Sequence, residues 1–271
     1  MSAPDQLLVV IDPVARRSDG ESVRIAKDVL CGGAAAKVCL PDTPEEFARA
    51  LARRGGRRPV VVGDDRALVR AVGLLHGSDR AELSLVPVGP EETVRLASAL
   101  GAPLGPVSAA RTALGGVRRR MDLLVDEDGG VVVGELRVPE GGRAAVPAPS
   151  TVRGWGTARS LVRTLVGPPP GAARVPQMRG HRLRVEVDGR LLGDDLVDGV
   201  TVAAHDGTAR VELRPRASRP VRYAARRTVT ISCTAGPGFH YRADTLVGGP
   251  VASRTWTVRP SSWSLVLPPG A

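Results

Sequence analysis

A turn between a predicted strand and a predicted helix carries the residues best placed to do chemistry. The β-branched run over residues 60–62 predicts a buried strand, and Gly63, Asp64 and Asp65 follow it directly. Apolar positions then recur every three to four residues, which predicts a helix. A strand that turns straight into a helix presents free backbone N–H groups at the helix N-terminus, where a phosphate binds well. We therefore interpret this turn as a candidate phosphate loop.

The two aspartates of this turn also allow a purely structural interpretation. An Asp in the first turn of a helix caps it and is stabilised by the helix dipole. A carboxylate would also oppose a phosphate, because two unit charges about 4 Å apart interact by roughly 4 kcal/mol at an intermediate dielectric. Asp65 would need Arg66 or a metal ion to neutralise it. At the level of sequence, capping and contact with a nucleotide or Mg²⁺ both remain open.

Strands alternate with helices in the first part of the chain. Strands are predicted over 6–11, 36–40, 60–62 and 83–87, and helices over 21–30, 43–53, 66–75 and 91–100, with Thr43 and Glu46 as a capping box. Such alternation predicts a parallel sheet covered on both faces, with ligands beyond the carboxyl ends of its strands. Asp12, Gly63 and Gly89 lie at such ends, so we expect three turns to converge on one site, with Asp12 before Pro13 as a turn residue.

A period-two pattern replaces this alternation after about residue 115. Strands are predicted over 121–125, 131–138, 182–187, 210–214, 228–233, 256–258 and 265–267, with a loop over 140–149, a helix over 151–166 and a linker over 167–176. Apolar and polar residues alternate in the segments between turns such as Asp188-Gly189 and Asp206-Gly207. This pattern predicts antiparallel strands with one face exposed to solvent. We therefore predict an α/β domain over 1–115 and a β-sandwich domain over 116–271.

The charge of the chain favours acidic partners. The 271 residues carry a net charge of +10, almost wholly from arginine, although a GC-rich genome explains such a bias equally well. Without a recognition helix, zinc spacing or aromatic platform, nucleic acid is not expected. The three cysteines show no metal-ligand spacing. We expect a reduced cytoplasmic protein without a resident metal, whose membrane contact is peripheral.

The order of elements and several motifs resemble the bacterial diacylglycerol kinases and related lipid kinases. Asp12-Pro13 is similar to the family's opening Asn-Pro turn. In the register set by Gly73, the family's Gly-Gly-Asp-Gly-Thr falls on residues 62–66, where Gly63 and Asp64 are retained. Asp65 then stands at the third glycine and Arg66 at the threonine, and Gly89 matches a glycine of the next loop. The resemblance implies that these residues bind a nucleotide.

The same resemblance extends to the end of the chain. The family's Asp-Gly-Glu, whose Glu is linked to catalysis, falls on residues 244–246, so Asp244 is retained and Leu246 replaces the Glu. The resemblance implies ATP and Mg²⁺ as cofactors, a lipid hydroxyl as acceptor and Asp244 as the retained catalytic-site residue. Leu246 cannot act as a base, which predicts weak or lost activity.

Two further interpretations of function stay open beside the lipid kinase. One is a non-catalytic lipid-binding, nucleotide-binding or scaffolding module on the same fold. The other is a relative of the NAD kinases, which the lipid-kinase-like ending disfavours. Arginines between residues 214 and 227 could contact an anionic membrane surface or form a solvated loop, and a homodimer is a further possibility.

Overall fold

The structure is a computed structural model that describes residues 6–78, 81–139 and 181–270. The loop, helix and linker predicted over residues 140–176 lie outside these described residues. Within them, no helix is both long and apolar enough to cross a membrane.

The first part of the chain is an α/β unit. Its elements are β1 (Gln6–Ile11), α1 (Pro13–Ser18), α2 (Gly20–Gly33), β2 (Ala35–Cys39), α3 (Pro44–Ala52), β3 (Arg58–Gly63), α4 (Asp65–Leu75), β4 (Glu82–Pro87), a 3₁₀ turn (Glu91–Thr93), α5 (Arg95–Ala99) and α6 (Pro106–Gly115). The strand order is β4-β3-β1-β2, and all three pairings are parallel. The predicted parallel sheet is therefore confirmed.

Helices cover both faces of this sheet because its strands are apolar at successive positions. Val60 and Val62 pack on the side of α2 and α6, whereas Val61 packs on the side of α3 and α4. Successive strand residues point to opposite faces, so a continuous Val run needs a cover on each side.

Local signals explain where the helices differ from the prediction. Pro13 begins α1 instead of only ending β1, because proline is pre-organised for the first helical position. The helix predicted over 91–100 is a 3₁₀ turn followed by the short α5, and α6 was not predicted. At α3 the Thr43 hydroxyl accepts from the Glu46 amide, but Glu46 accepts from Asp42 rather than from Thr43, so the capping box is only half formed.

The described residues from 117 onward form a mostly antiparallel strand region. Its elements are β5 (Val117–Asp126), β6 (Val131–Val132), β7 (Leu136–Val138), β8 (His181–Val187), β9 (Arg190–His205), β10 (Thr208–Pro215), β11 (Val221–Ala225), β12 (Thr228–Cys233), β13 (Phe239–Ala243), β14 (Leu246–Val251) and β15 (Ser253–Leu267). Asp188-Gly189 and Asp206-Gly207 make the β8–β9 and β9–β10 turns with positive φ angles, as predicted. The strand predicted over 131–138 is divided into β6 and β7 by residues 133–135.

One long strand joins the two regions. β15 pairs antiparallel with β5 and β12, and near its end it pairs in parallel with β4. Trp263, Leu265 and Leu267 of β15 consequently belong to the same apolar core as α4. A second core, around Trp256 and Phe239, lies wholly within the strand region. The boundary at residues 115 and 116 stays a prediction, since the sheet continues across it.

Candidate functional site

The structure brings three turns together at the carboxyl edge of the parallel sheet. The Asp12 amide donates to the Val62 carbonyl over 2.9 Å, and the Val88 amide donates to the Gly63 carbonyl over 3.0 Å. These bonds join the ends of β1, β3 and β4. In α/β sheets this edge is where ligands bind, so it is the candidate site.

Asp12 is a buried helix cap rather than a simple turn residue. Its Oδ1 accepts from the Val14 amide over 2.8 Å, and its Oδ2 lies 3.3 Å from Nη1 of Arg70. The side chain of Asp12 is 4% exposed. Arg70 also lies over the ring of Phe47, 5.5 Å from its centroid. Asp12 therefore links the start of α1 to the middle of α4.

Gly63 and Gly89 make the close packing of these turns possible. A Cβ atom on Gly63 would lie 2.6 Å from the Ala67 Cβ and 3.1 Å from the Asp12 Cβ. Gly89 has a φ of 151°, and its Cβ would lie 2.5 Å from the Thr93 hydroxyl. Both glycines are therefore required by packing, whether or not a phosphate approaches them.

Asp64 caps α4 and keeps one oxygen available. Its Oδ1 accepts from the Ala67 amide over 3.0 Å. Its side chain is only partly buried, and Oδ2 accepts no hydrogen bond from the part of the chain that the structure describes. Arg66 is exposed in the first turn of the helix. The capping interpretation holds for Asp64, and a second contact remains open to it.

The side chain of Asp65 is occupied by another helix. Its two oxygens accept from the amides of Leu96 and Ala97 over 2.8 and 2.9 Å, at the start of α5. Asp65 is 3% exposed. Burial raises the pKa of Asp65, the two amides oppose this, and the charge of Asp64 adds to the increase. This arrangement corrects the expectation that Asp65 presents its carboxylate to the phosphates, because the carboxylate joins α4 to α5.

Asp244 lies in the turn between β13 and β14, where its φ is 51°. Its carboxylate accepts from the amides of residues 133, 134 and 135 over 2.7, 2.8 and 2.9 Å. A Cβ on Gly134 would lie 2.6 Å from Leu96 Cδ1 and 3.0 Å from Asp244 Oδ1. The turn over 133–135 is thus held between Asp244 and α5, where the strand region meets the α/β unit.

Burial raises the pKa of Asp244, the three amides lower it, and the nearby charge of Asp65 raises it. Leu246, two residues later, is 56% exposed and contributes no acidic group. The hydroxyl oxygen of Thr245 is buried without a hydrogen-bond partner among the described residues. Asp244 is the only one of the predicted site residues that the strand region contributes.

Two parts of this site were not predicted. Arg70 lies four residues after Arg66, so helical spacing places both on one face of α4. That spacing could have identified Arg70. The amides of residues 133–135 carry no sequence signal, because any residue type except proline supplies a backbone N–H.

The donor groups limit what metal ion the site could hold. Within residues 6–78, 81–139 and 181–270 there is no group of three or more His, Cys, Asp or Glu side chains with metal-binding geometry. Mg²⁺ often binds through one or two carboxylates together with substrate phosphates. The available oxygen of Asp64 fits the role of one carboxylate ligand to a Mg²⁺ ion that phosphates also bind. The carboxylates of Asp12, Asp65 and Asp244 are already used as hydrogen-bond acceptors.

The arginine-rich connection of β10 and β11 is partly neutralised. Glu212 accepts from Nε of Arg214 and of Arg222 over 2.7 and 3.0 Å. Contact between this arginine-rich connection and a membrane surface stays a prediction.

The raised pKa values of Asp65 and Asp244 predict how the stability of the folded protein depends on pH. Because both pKa values are raised by folding, the folded protein binds more protons than the unfolded chain just above the ordinary aspartate pKa of about 3.9. These groups therefore lower the stability as the pH rises through that range. Asp65→Asn removes one such group and lowers the pKa of the other.

We therefore expect the stability of the Asp65→Asn variant, relative to the wild type, to improve as the pH rises from about 4 to 6. Urea unfolding at a series of pH values measures this difference. A difference that stays constant across the series would show that folding does not raise the pKa of Asp65.

The fold of this chain has counterparts among solved structures. Comparisons with protein-family models and with curated proteins find no match. Among solved structures, a diacylglycerol kinase from Bacillus anthracis str. Sterne is similar with a TM-score of 0.72 and 11% identity, over 99% of each chain. The fold is therefore of the diacylglycerol kinase and NAD kinase type.

Two nucleotide-binding proteins are similar at a lower level. An NAD kinase from Archaeoglobus fulgidus in complex with ATP gives a TM-score of 0.50 at 14% identity, covering 97% of this chain and 92% of that one. Yeast NADH kinase complexed with NADH gives 0.52 at 11% identity, covering 97% and 83%. At these identities the similarity establishes the fold.

Proposed function

We propose that this chain binds a nucleoside triphosphate at the Asp64 turn, and that transfer of the γ-phosphate to a lipid hydroxyl is weak or lost. The observation that carries the proposal is which carboxylate oxygens of the site already have hydrogen-bond partners. Asp12, Asp65 and Asp244 are already occupied by backbone amides or by Arg70, and Asp64 alone keeps an unoccupied oxygen. The chain is then a binding module on a kinase fold.

Nucleotide binding is supported by the start of α4. This helix of 11 residues begins at the carboxyl edge of the sheet, so its dipole favours a phosphate there. The exposed Arg66 would add a positive charge, and Asp64 would reach a Mg²⁺ ion that the phosphates carry. A fold similar to that of an NAD kinase in complex with ATP agrees with this proposal.

Weak transfer is supported by the geometry of Asp244. A general base must reach the proton that it takes, and geometry decides before pKa does. The raised pKa of Asp244 would suit a base, but moving its carboxylate toward a substrate would leave three amides without an acceptor. Leu246 supplies no alternative base.

A matched pair of cap variants tests the binding site. Asp64→Ala and Asp19→Ala each remove an N-cap whose Oδ1 accepts an amide over 3.0 Å, so each should cost about 1 kcal/mol of stability. Only Asp64→Ala should weaken binding of Mg²⁺–ATP, by about tenfold for one lost charged contact of about 1.5 kcal/mol. Calorimetric titration of both variants measures the affinities. Equal affinities in the two variants would remove Asp64 from the site.

Turnover is measured separately with diacylglycerol in mixed micelles. We expect little or no phosphorylation by protein that nevertheless binds ATP. Robust lipid phosphorylation that disappears in Asp64→Ala would overturn the proposed loss of transfer, while leaving nucleotide binding intact.

A further inference from the structure

A pocket lies at the edge of the parallel sheet opposite the candidate site. It has a volume of about 490 Å³ and opens beside the amino ends of β3 and β4, where the start of β5 and the end of β15 complete its wall. β3 has six residues, so the pocket is roughly 17 Å from the candidate nucleotide site along the strand. It is therefore separate from that site.

The charge of this pocket is strongly positive. Five of its lining residues are arginines and one is an acid: Arg54, Arg57, Arg58, Arg118, Arg120 and Glu82. Glu82 interacts with two of the arginines, Arg118 at 3.1 Å and Arg58 at 3.8 Å. Among the described lining residues this leaves a formal excess of four positive charges. Concave walls concentrate such a field and attract anions.

The pocket is also built from groups that are held in place. Arg54 donates to the Ser78 hydroxyl over 3.1 Å and to the Leu51 carbonyl over 3.3 Å. Arg57 donates its amide to the Arg54 carbonyl over 3.2 Å, closing a turn in which Gly55 has a φ of 62°. On the other wall, Arg120 lies 3.5 Å from the Ser261 carbonyl. Guanidinium groups that are already positioned lose less entropy when they bind a phosphate.

Serine hydroxyls complete the donor set. Ser261, Ser262 and Ser264 line the wall that β15 contributes, beside the buried ring of Trp263. The Ser262 hydroxyl already donates to the Arg259 carbonyl over 3.1 Å, so the donors on this wall are the hydroxyls of Ser261 and Ser264. Hydroxyls and guanidinium groups are typical donors to phosphate oxygens, and a volume of this size is that of a small-molecule site.

We propose that this pocket binds a soluble polyanion, a small molecule that carries two or more phosphate groups. Five guanidinium groups offer more N–H donors than one phosphate can accept, so a ligand with several phosphates matches this lining better. The concave shape favours a free phosphorylated molecule over a membrane surface, because a flat bilayer does not enter a recess. The proposal does not depend on the candidate nucleotide site.

Strand β5 offers a matched pair of variants for the test. Arg118 and Arg120 line the pocket, whereas Arg119 between them does not, because successive strand residues point to opposite faces. All three arginines are exposed, so charge reversal should leave the fold intact. Arg120→Glu and Arg119→Glu change the net charge of the protein equally, and only the first changes the pocket.

Calorimetric titration with tripolyphosphate at physiological salt is the experiment. We expect the wild type to bind, Arg120→Glu to weaken binding by tenfold or more as a charge is reversed, and Arg119→Glu to change it less than about twofold. Equal weakening by both variants would show attraction to the net charge alone. No loss in Arg120→Glu, or no binding by the wild type, would also overturn the proposal.

Vesicles of phosphatidylcholine and phosphatidylglycerol in equal parts separate the two sources of phosphate. We expect Arg120→Glu and Arg119→Glu to co-sediment with them equally. Binding to vesicles that depends on Arg120, without binding of tripolyphosphate, would assign this face to a lipid surface and overturn the proposed soluble ligand.

Discussion

Asp244→Ala is expected to lower the free energy of unfolding by about 3–5 kcal/mol. The substitution leaves the amides of residues 133–135 without their acceptor at the junction of the two regions. Hydrogen bonds to a charged group contribute about 1.5–3 kcal/mol each, and their sum is reduced because the turn can partly reach water. Urea unfolding of the wild type and the variant measures the loss.

Asp206→Ala is the matched control for this variant. Asp206 has the same φ of 51°, also in a turn between two strands, but it is exposed and interacts only with surface groups. Its replacement should cost less than about 1 kcal/mol. Asp244→Asn keeps an acceptor oxygen and a residue type that tolerates positive φ, so it should recover part of the loss. Equal losses in Asp244→Ala and Asp206→Ala would show that the three amide bonds contribute nothing beyond the turn.

Gly63→Ala is expected to destabilise the protein by about 1–3 kcal/mol, the cost of overpacking a tight core. The added Cβ would lie 2.6 Å from the Ala67 Cβ and 3.1 Å from the Asp12 Cβ. A Cβ atom cannot rotate away, so β3, α1 or α4 must shift. That shift would also move the start of α4, and the stabilisation of the protein by ATP should fall. Thermal unfolding with and without Mg²⁺–ATP measures both effects.

Gly73→Ala separates this packing effect from the general effect of replacing a glycine. Gly73 lies inside α4, where a Cβ would make an ordinary contact of 3.5 Å with Val131. Alanine is favoured over glycine in a helix interior by about 1 kcal/mol, so this variant should be stabilised. The two glycine substitutions therefore have opposite expected signs. Stabilisation by both would contradict the close packing at Gly63.

Local patterns in the sequence were sufficient to predict the parallel sheet of the α/β unit, although not α6. The Val run over 60–62 predicts a strand that is buried on both faces, and β3 is that strand. The same reasoning placed Asp12, Gly63 and Gly89 at strand ends, and parallel strands bring such ends to one edge. The prediction succeeded because periodicity, caps and turn residues act over a few positions of the chain.

The roles of the carboxylates required the tertiary structure. Asp64 and Asp65 are adjacent and chemically identical, so the local sequence pattern does not predict that their carboxylates have different hydrogen-bond partners. In the structure Asp64 caps its own helix, whereas Asp65 caps α5, 31 positions further along the chain. Only the packing of α5 against α4 decides this, since it buries one side chain and leaves the other partly exposed.

The chain by itself therefore determined the parallel sheet, its turns and the location of the candidate site, since these follow from short-range patterns of apolar and turn-forming residues. The tertiary structure alone decided which groups the site can use. Asp244 and Val133 are 111 positions apart, and their bond exists because β13 and the turn after β6 meet at the junction of the two regions. The arginines of the pocket beside the amino ends of β3 and β4 come from β3, β5 and the turn before β3. The partner of a buried polar group depends on long-range packing, which sequence periodicity does not encode.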